Sequence, residues 1–338
     1  MKKTNKRYIA ALVVGLSLVA AACGSSDDAA EEETPAAAGG ELEGMKGTMP
    51  LVALSDEFKS GMNEFWVAAG NAELTDFSYA AEAFDSVMLV ALAAEAAKTD
   101  GSALAGEIMN VSRDGEVCTE FAACVELIKA GTDVNYEGVS GPQDMNGNGE
   151  PIKASYGVLT FDATNRFDYA DAEYILADLP ESDFVDLEPP TVERAGDGVL
   201  KIGTLLPETG NLAFLGPPEF AGVEYAISLI NAAGGVLGKP VEYVQGDSGD
   251  TSTDTASTTV DRLLGESVDA IVGAASSGVS LTVIDKITAA GVLQISPANT
   301  SEKLSTYADN GLYYRTAPSD ILQGAVLANL IAGDGNQS

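Results

Sequence analysis

Apolar positions follow two different rhythms along this chain. From residue 198 onward, short apolar runs alternate with stretches apolar on one helical face. Leu200 to Leu206 reads as a strand, followed by a loop holding Pro207, Gly210, Gly216, Pro217 and Pro218. Phe220, Val223, Ile227 and Ile230 then fall on one face of a helix that Gly234-Gly235 stops. Val241 to Val244, Ala270 to Val272 and Val292 to Ile295 read as further strands, and Leu312 to Arg315 offers another. Thr255 to Leu264 and Gly278 to Ala290 supply helices between them. Strands alternating with helices of this length predict βαβ units with right-handed crossovers. The fold class expected is α/β, a doubly wound parallel sheet with helices on both faces.

The region 43–168 is more helical. Phe58 to Val67 and Tyr79 to Lys98 are helix candidates. Within the second, Val87 to Ala94 is uninterrupted apolar sequence between Asp85 and Glu95. Eight residues cannot span a bilayer, so a helix apolar nearly all round is expected inside protein. Thr119 to Gly131 predicts a third helix, with Thr119 as N-cap, Gly131 as stop, and Phe121, Cys124, Val125 and Ile128 on one face. Tyr156 to Phe161 alternates like a strand. Between the two regions, 169–197 carries nine acidic residues and one arginine with Pro180, Pro189 and Pro190. It reads as an acidic linker in which Tyr174 to Leu179 could form a short edge element.

The N-terminus has the layout of an export signal over 1–22. Lys2, Lys3, Lys6 and Arg7 precede an apolar stretch from Ile9 to Ala22, and Ala20-Ala21-Ala22 stands directly before Cys23. This resembles a bacterial lipoprotein signal, which implies lipidation of Cys23, a membrane anchor and a cell-envelope location, in the periplasm or on the outer face of the cytoplasmic membrane. Ala20 departs from that pattern, where leucine is usual, and cleavage by an ordinary signal peptidase is the alternative. Residues 23–42 read as an acidic, solvated tether. In an oxidising compartment the remaining pair, Cys118 and Cys124, suggests a structural disulfide. Two free thiols are the other reading.

Composition narrows the chemistry. The chain has 338 residues, with 51 acidic and 18 basic side chains, no histidine and a formal charge of −33. The lack of histidine removes His-dependent nucleophilic catalysis and the commonest metal ligand, so neither an enzyme nor a metal site is expected. The charge repels phosphate backbones, which argues against nucleic acid as a partner. Asp144-Met-Asn146-Gly-Asn148-Gly149-Glu150 opens like a calcium loop, but Ser155 stands where the bidentate glutamate belongs, so a glycine-rich turn is expected. No phosphate-binding glycine motif is present, and no cofactor is expected.

Two stretches follow predicted strands, where ligands sit in open α/β sheets because helix N-termini converge there. They are Ala275-Ser276-Ser277-Gly278 and Ser296-Pro297-Ala298-Asn299-Thr300. Serine and threonine at a helix start are ordinarily N-caps. Together, however, the two stretches offer donors for a carboxylate and acceptors for an ammonium, the pair that a free α-amino acid presents.

At these residues the chain resembles the leucine/isoleucine/valine-binding receptors of ABC transporters, of type I periplasmic binding protein fold. In 198–338 the resemblance rests on Leu-Lys-Ile-Gly-Thr-Leu-Leu-Pro-Glu-Thr-Gly (200–210), Phe-Ala-Gly-Val-Glu-Tyr-Ala-Ile (220–227), Ile-Asn-Ala-Ala-Gly-Gly-Val-Leu-Gly (230–238) and Ile-Ser-Pro-Ala-Asn-Thr (295–300). Residues 43–168 resemble a later part of the same receptors, through Leu-Glu-Gly-Met-Lys-Gly-Thr (42–48) and Tyr-Ala-Ala-Glu-Ala-Phe-Asp-Ser-Val (79–87). The order of the two segments is inverted relative to the family, and the middle that builds most of the second lobe is missing. The resemblance therefore implies a circularly permuted single lobe whose two segments share a sheet. A piece of a longer or rearranged gene is the competing reading.

Carried over residue by residue, the resemblance implies that Ser277 and the N–H groups near Gly278 hold a ligand carboxylate. The Ala298 carbonyl and Thr300 hydroxyl would take its ammonium. Leu215 falls where several family members place a tyrosine over the ligand, with Phe214 beside it. The expected partners are a branched-chain or similar amino acid and an ABC permease. An interaction lipoprotein that dimerises or docks on a transporter without ligand is the rival function.

Overall fold

A computed structural model describes residues 40–180, 185–186 and 189–335. The export signal, Cys23 and the tether up to residue 39 lie outside the described residues.

Short apolar runs in the second region, buried on both faces, build the central sheet. Its strands are β7 (Lys201–Leu205), β8 (Glu242–Val244), β9 (Ala270–Gly273), β10 (Leu293–Ser296) and β11 (Tyr313–Arg315). All are parallel, in the spatial order β11-β10-β9-β7-β8. Ile202, Val272 and Ile295 face one side of the sheet, and Leu205 and Ile271 face the other. The second side is covered by α5 (Thr255–Gly265) and α6 (Ser277–Ala289) through Val260, Leu263, Val279, Val283 and Ile287. This is the doubly wound α/β architecture that the sequence predicts.

The first side is covered by helices from both halves of the chain. One is α4 (Gly216–Ala232); the other is α2 (Ala80–Ala97), which packs on α4 and reaches β9 and β10. In α2 every residue from Ala80 to Ala94 is buried, as its unbroken apolar run requires. The contact with α4 is made possible by Gly222, where a Cβ would stand 2.2 Å from the Ala80 carbonyl oxygen. A third helix, α1 (Asp56–Ala68), is capped by Ser55 and packs against this pair, with Phe58 edge-on to Phe84 at 5.2 Å.

The expectation that both segments share one sheet is not met. Every strand of the parallel sheet comes from the second region. The first region and the acidic stretch instead build an antiparallel sheet, β1 (Lys46–Pro50), β5 (Lys153–Thr160) and β6 (Glu173–Asp178), in the order β1-β5-β6. Helix α7 (Asp320–Gly333) of the second region packs on it, burying Leu322 and Val326 against Ala154 and Tyr156. The acidic stretch 169–197 thus holds β6 as an edge strand. Farther on, Arg194 pairs with Asp269 at 2.7 Å, and Asp100 accepts from the backbone N–H groups of Asp197, Gly198 and Val199.

A small third sheet joins β2 (Glu116–Cys118), β3 (Val134–Gly138) and β4 (Gly141–Pro142). Cys118 in β2 and Cys124 in α3 (Phe121–Ala130) form a disulfide, so the chain folds back between them. The N-cap of α3 is Glu120 and not Thr119, and its side chain makes no capping bond. Phe121 and Cys124 are buried on the expected face.

The glycine-rich turn finds its use here. Asp144 pairs with Lys153 at 2.8 Å, and Asn146 caps Asn148, so these groups are engaged within the protein. Among the described residues, no group of three acidic or sulfur side chains could hold a metal. Gly149 (φ +70°) meets β11 so closely that a Cβ would lie 2.4 Å from the Tyr313 carbonyl, and its own carbonyl accepts from Arg315 N at 2.8 Å. This contact sets Glu150 against the Arg315 guanidinium, with Nε 3.0 Å from Oε2. Both side chains are buried, Arg315 to 1% exposure. Removing one partner of a buried pair leaves an uncompensated charge, which costs about 3–5 kcal/mol. Glu150→Ala is therefore expected to lower unfolding free energy by that amount in urea titrations, with the slope unchanged.

Candidate ligand-binding site

In the parallel sheet the chain runs from β7 outward to β8, then returns to β9 on the other side of β7. The reversal makes a topological switch point at the C-terminal ends of β7 and β9, the position at which open α/β sheets bind ligands. Three loops border it, following β7, β9 and β10, and each is fixed by local hydrogen bonds.

After β9, Ser276 caps α6, with its Oγ accepting from Val279 N. The next N–H groups, of Ser277 and Gly278, have no acceptor among the described residues and lie at the positive end of the helix dipole. After β10, Ser296 Oγ donates to the Ala274 carbonyl at 2.7 Å and accepts from Asn299 N at 3.0 Å. Buried Asn299 clasps both loops. Its Nδ2 donates to the Ala274 and Ala275 carbonyls at 2.8 and 2.9 Å, and its Oδ1 accepts from the Tyr313 hydroxyl. Arg315 adds a bond to the Ser301 carbonyl at 2.8 Å.

These bonds bring Ser277 and Thr300 together across 23 residues of sequence. Ser277 Oγ accepts from Thr300 N and Ser301 N, each at 3.3 Å, leaving its proton free to donate. Among the described residues, the Ala298 carbonyl and the Thr300 hydroxyl have no partner. Unsatisfied donors and acceptors therefore stand side by side on a rigid frame. Gly278 is exposed, and a Cβ there would touch the Thr251 methyl at 3.2 Å. In the β7 loop, Leu215 is buried and Phe214 is 64% exposed, so of the two residues expected over the ligand only Phe214 presents its side chain to solvent.

A cavity of about 340 Å³ lies apart from these groups, lined by 50–54, Phe77 to Tyr79, Glu82, Tyr169 and Tyr174. Asp320 stands between the two, donating N–H to the Thr300 carbonyl at 2.7 Å while its charge acts on the Tyr79 hydroxyl. The sequence reading missed this cavity. One signal for it was available: Glu82 interrupts a helix that is otherwise expected to be buried all round. Burial pushes the Glu82 carboxyl up to about 7, opposed by its own backbone N–H and reinforced by Asp85. Glu219, in the first turn of α4, is driven up by burial and then by Glu82, and neither of its oxygens has a partner among the described residues. Asp85 is raised to about 6 by burial, against donors from Ser140, Tyr136 and Val139.

Residues 199–338 match the family described as "Periplasmic binding protein". Over 133 residues the chain is 29% identical to Leu/Ile/Val-binding protein homolog 3 of Brucella melitensis, covering 39% of this chain and 35% of that protein. It is 31% identical over 135 residues to Leu/Ile/Val-binding protein homolog 2 of Brucella abortus, with the same coverage. Among solved structures, the branched-chain amino acid substrate-binding protein LivJ of Streptococcus pneumoniae, in complex with isoleucine, is 34% identical. That match covers 40% of this chain and 38% of LivJ at a TM-score of 0.37. The chain thus spans about a third of the length of the curated relatives it matches.

The raised carboxyls give stability a definite pH dependence. A folded-state pKa above the unfolded value means that the folded chain binds the extra proton, so stability is present in acid and lost as pH rises through that pKa. For Glu82 the window runs from its ordinary value, 4.5, to about 7, worth about 3 kcal/mol. Urea midpoints are expected to fall between pH 5 and pH 8. Glu82→Gln should remove about 3 kcal/mol of that fall, whereas an unchanged slope in the variant would contradict this account.

Proposed function

We propose that this chain is an extracytoplasmic binding protein for amino acids of the branched-chain type, serving an ABC transporter. The observation that carries the reading is the pairing of unsatisfied groups at the sheet's switch point. The Ser277 hydroxyl and the Gly278 N–H offer themselves to a carboxylate, and the Ala298 carbonyl and Thr300 hydroxyl to an ammonium. Phe214 would cover the aliphatic side chain. The relatives are named as binding proteins, and the match over 199–338 supports reading this chain as one of them and not as an enzyme. The permease partnership comes with that reading, as does export. Lipidation of Cys23, following the export signal, would tether the protein to the membrane.

The seat as described is open on one side. Small-molecule sites bury most of their ligand, and one shelf leaves the charged groups wet. Affinity for leucine is therefore expected to be weak. Calorimetry on residues 23–338 should show leucine binding in the millimolar range, with Ser277→Ala and Thr300→Val each weakening it by about tenfold, the cost of one charge-assisted hydrogen bond. Leucine binding unaffected by either substitution would remove the seat from Ser277 and Thr300. No binding at millimolar leucine would remove the ligand.

A further inference from the structure

We propose that the cavity beside the N-terminus of α2 binds a small organic cation, an alkyl- or quaternary ammonium, with Glu82 as its counter-ion. Glu82 lines the cavity and is 7% exposed, and no other residue among those described donates to its carboxylate. A buried carboxylate without a partner is costly, and a cation in the cavity would offset that cost. Asp76 adds a second carboxylate to the wall; its Oδ1 is held by Ser78, and its Oδ2 accepts no hydrogen bond among the described residues. Lys59 is the cationic side chain of the lining, and it is paired with Asp56 at 3.0 Å.

The remaining wall selects the kind of cation. Phe77, Tyr79, Tyr169 and Tyr174 line the space together with apolar Leu51 and Leu54. Aromatic faces attract an ammonium within about 6 Å of the ring centroid, most strongly where water is excluded. Tyr169 is braced for that role: Phe167 packs edge-on to it at 5.4 Å, and its hydroxyl lies 3.4 Å from Ser78 Oγ. A bare metal ion would instead want a shell of oxygens, and among the described residues no group of three or more His, Cys, Asp or Glu side chains could hold one. About 340 Å³ accommodates a small amine and its hydrocarbon body. The net charge of −33 raises the local concentration of any cation.

This site shares no residue with the amino-acid seat, so the two can fail separately. Choline chloride would be titrated calorimetrically into residues 23–338 at pH 8, where Glu82 is ionised, with sodium chloride at matched ionic strength as control. The expected result is one choline per chain, weakened about tenfold in Glu82→Gln. Tyr169→Ala, at a partly exposed rim position, should weaken it several-fold and provides the readout if the first variant does not fold. Sodium should give no comparable heat, and leucine binding should be the same in both variants as in the unsubstituted chain. No heat at about 10 mM choline overturns the proposal. So does choline binding at full strength in both variants, or displacement of choline by sodium at equal concentration. Choline binding without leucine binding would leave the cavity standing and sink the seat.

Discussion

The burial of α2 is the constraint on which the rest depends. Fifteen consecutive residues, Ala80 to Ala94, are withdrawn from water, and a helix with no polar face has no stable place except between other elements. It lies against α4 through the Gly222 contact and against the sheet through β9 and β10, so it closes the core that the parallel sheet alone would leave half open. At about 25 cal/mol per Å² of apolar surface, the side chains of this helix contribute more than any polar contact described above. The sheet's first face, the placement of Tyr79 and the approach of Glu82 to Glu219 all follow from where α2 must lie.

The polar devices have a different task, which is to fix geometry. Asn299 holds the loops after β9 and β10 in register, and Arg315 holds the second of these from behind. The arginine is in turn neutralised by Glu150, a residue from the other half of the chain. A seat formed by the second region is thereby kept rigid by a charge that the first region supplies. This coupling gives the two acidic groups of the glycine-rich turn their partners within the protein, Lys153 for Asp144 and Arg315 for Glu150. Its glycine permits close approach to β11, and its glutamate completes an ion pair.

The α/β repeat was legible because strands buried on both faces and amphipathic helices leave strong periodic signals. Residues 200–206, 270–272 and 292–295 read as strands from their sequence, and strands lie at Lys201–Leu205, Ala270–Gly273 and Leu293–Ser296. The burial of α2 was legible for the same reason. The origin of the sheet's cover was not, since periodicity records that a face is apolar and not which segment will meet it. The cap of α3 was misplaced by one residue, because Thr119 has the better capping chemistry while the disulfide at Cys118 constrains the turn before the helix. Ser277 and Thr300 were recognisable as site candidates from their positions after strands. Asn299, Arg315 and Glu150, which hold them in place, form an arrangement that exists only in three dimensions.

The two halves of the chain meet in a particular way that bears on how such a molecule tolerates its own connectivity. Had they shared one sheet, their union would depend on a hydrogen-bond ladder, in which a slip of one residue turns every side chain to the wrong face. They meet instead through hydrophobic packing, α2 on α4 and α7 on the antiparallel sheet, reinforced by a few anchored charges. Apolar burial is non-directional and indifferent to which segment comes first along the chain. Each half brings complete ladders of its own, and what remains to be matched is shape. A resemblance whose segments stand in inverted order is physically consistent with a single shared core for that reason. The acidic stretch between them adds the edge strand β6, pairs Arg194 with Asp269 and leads into Asp197 to Val199, which Asp100 holds.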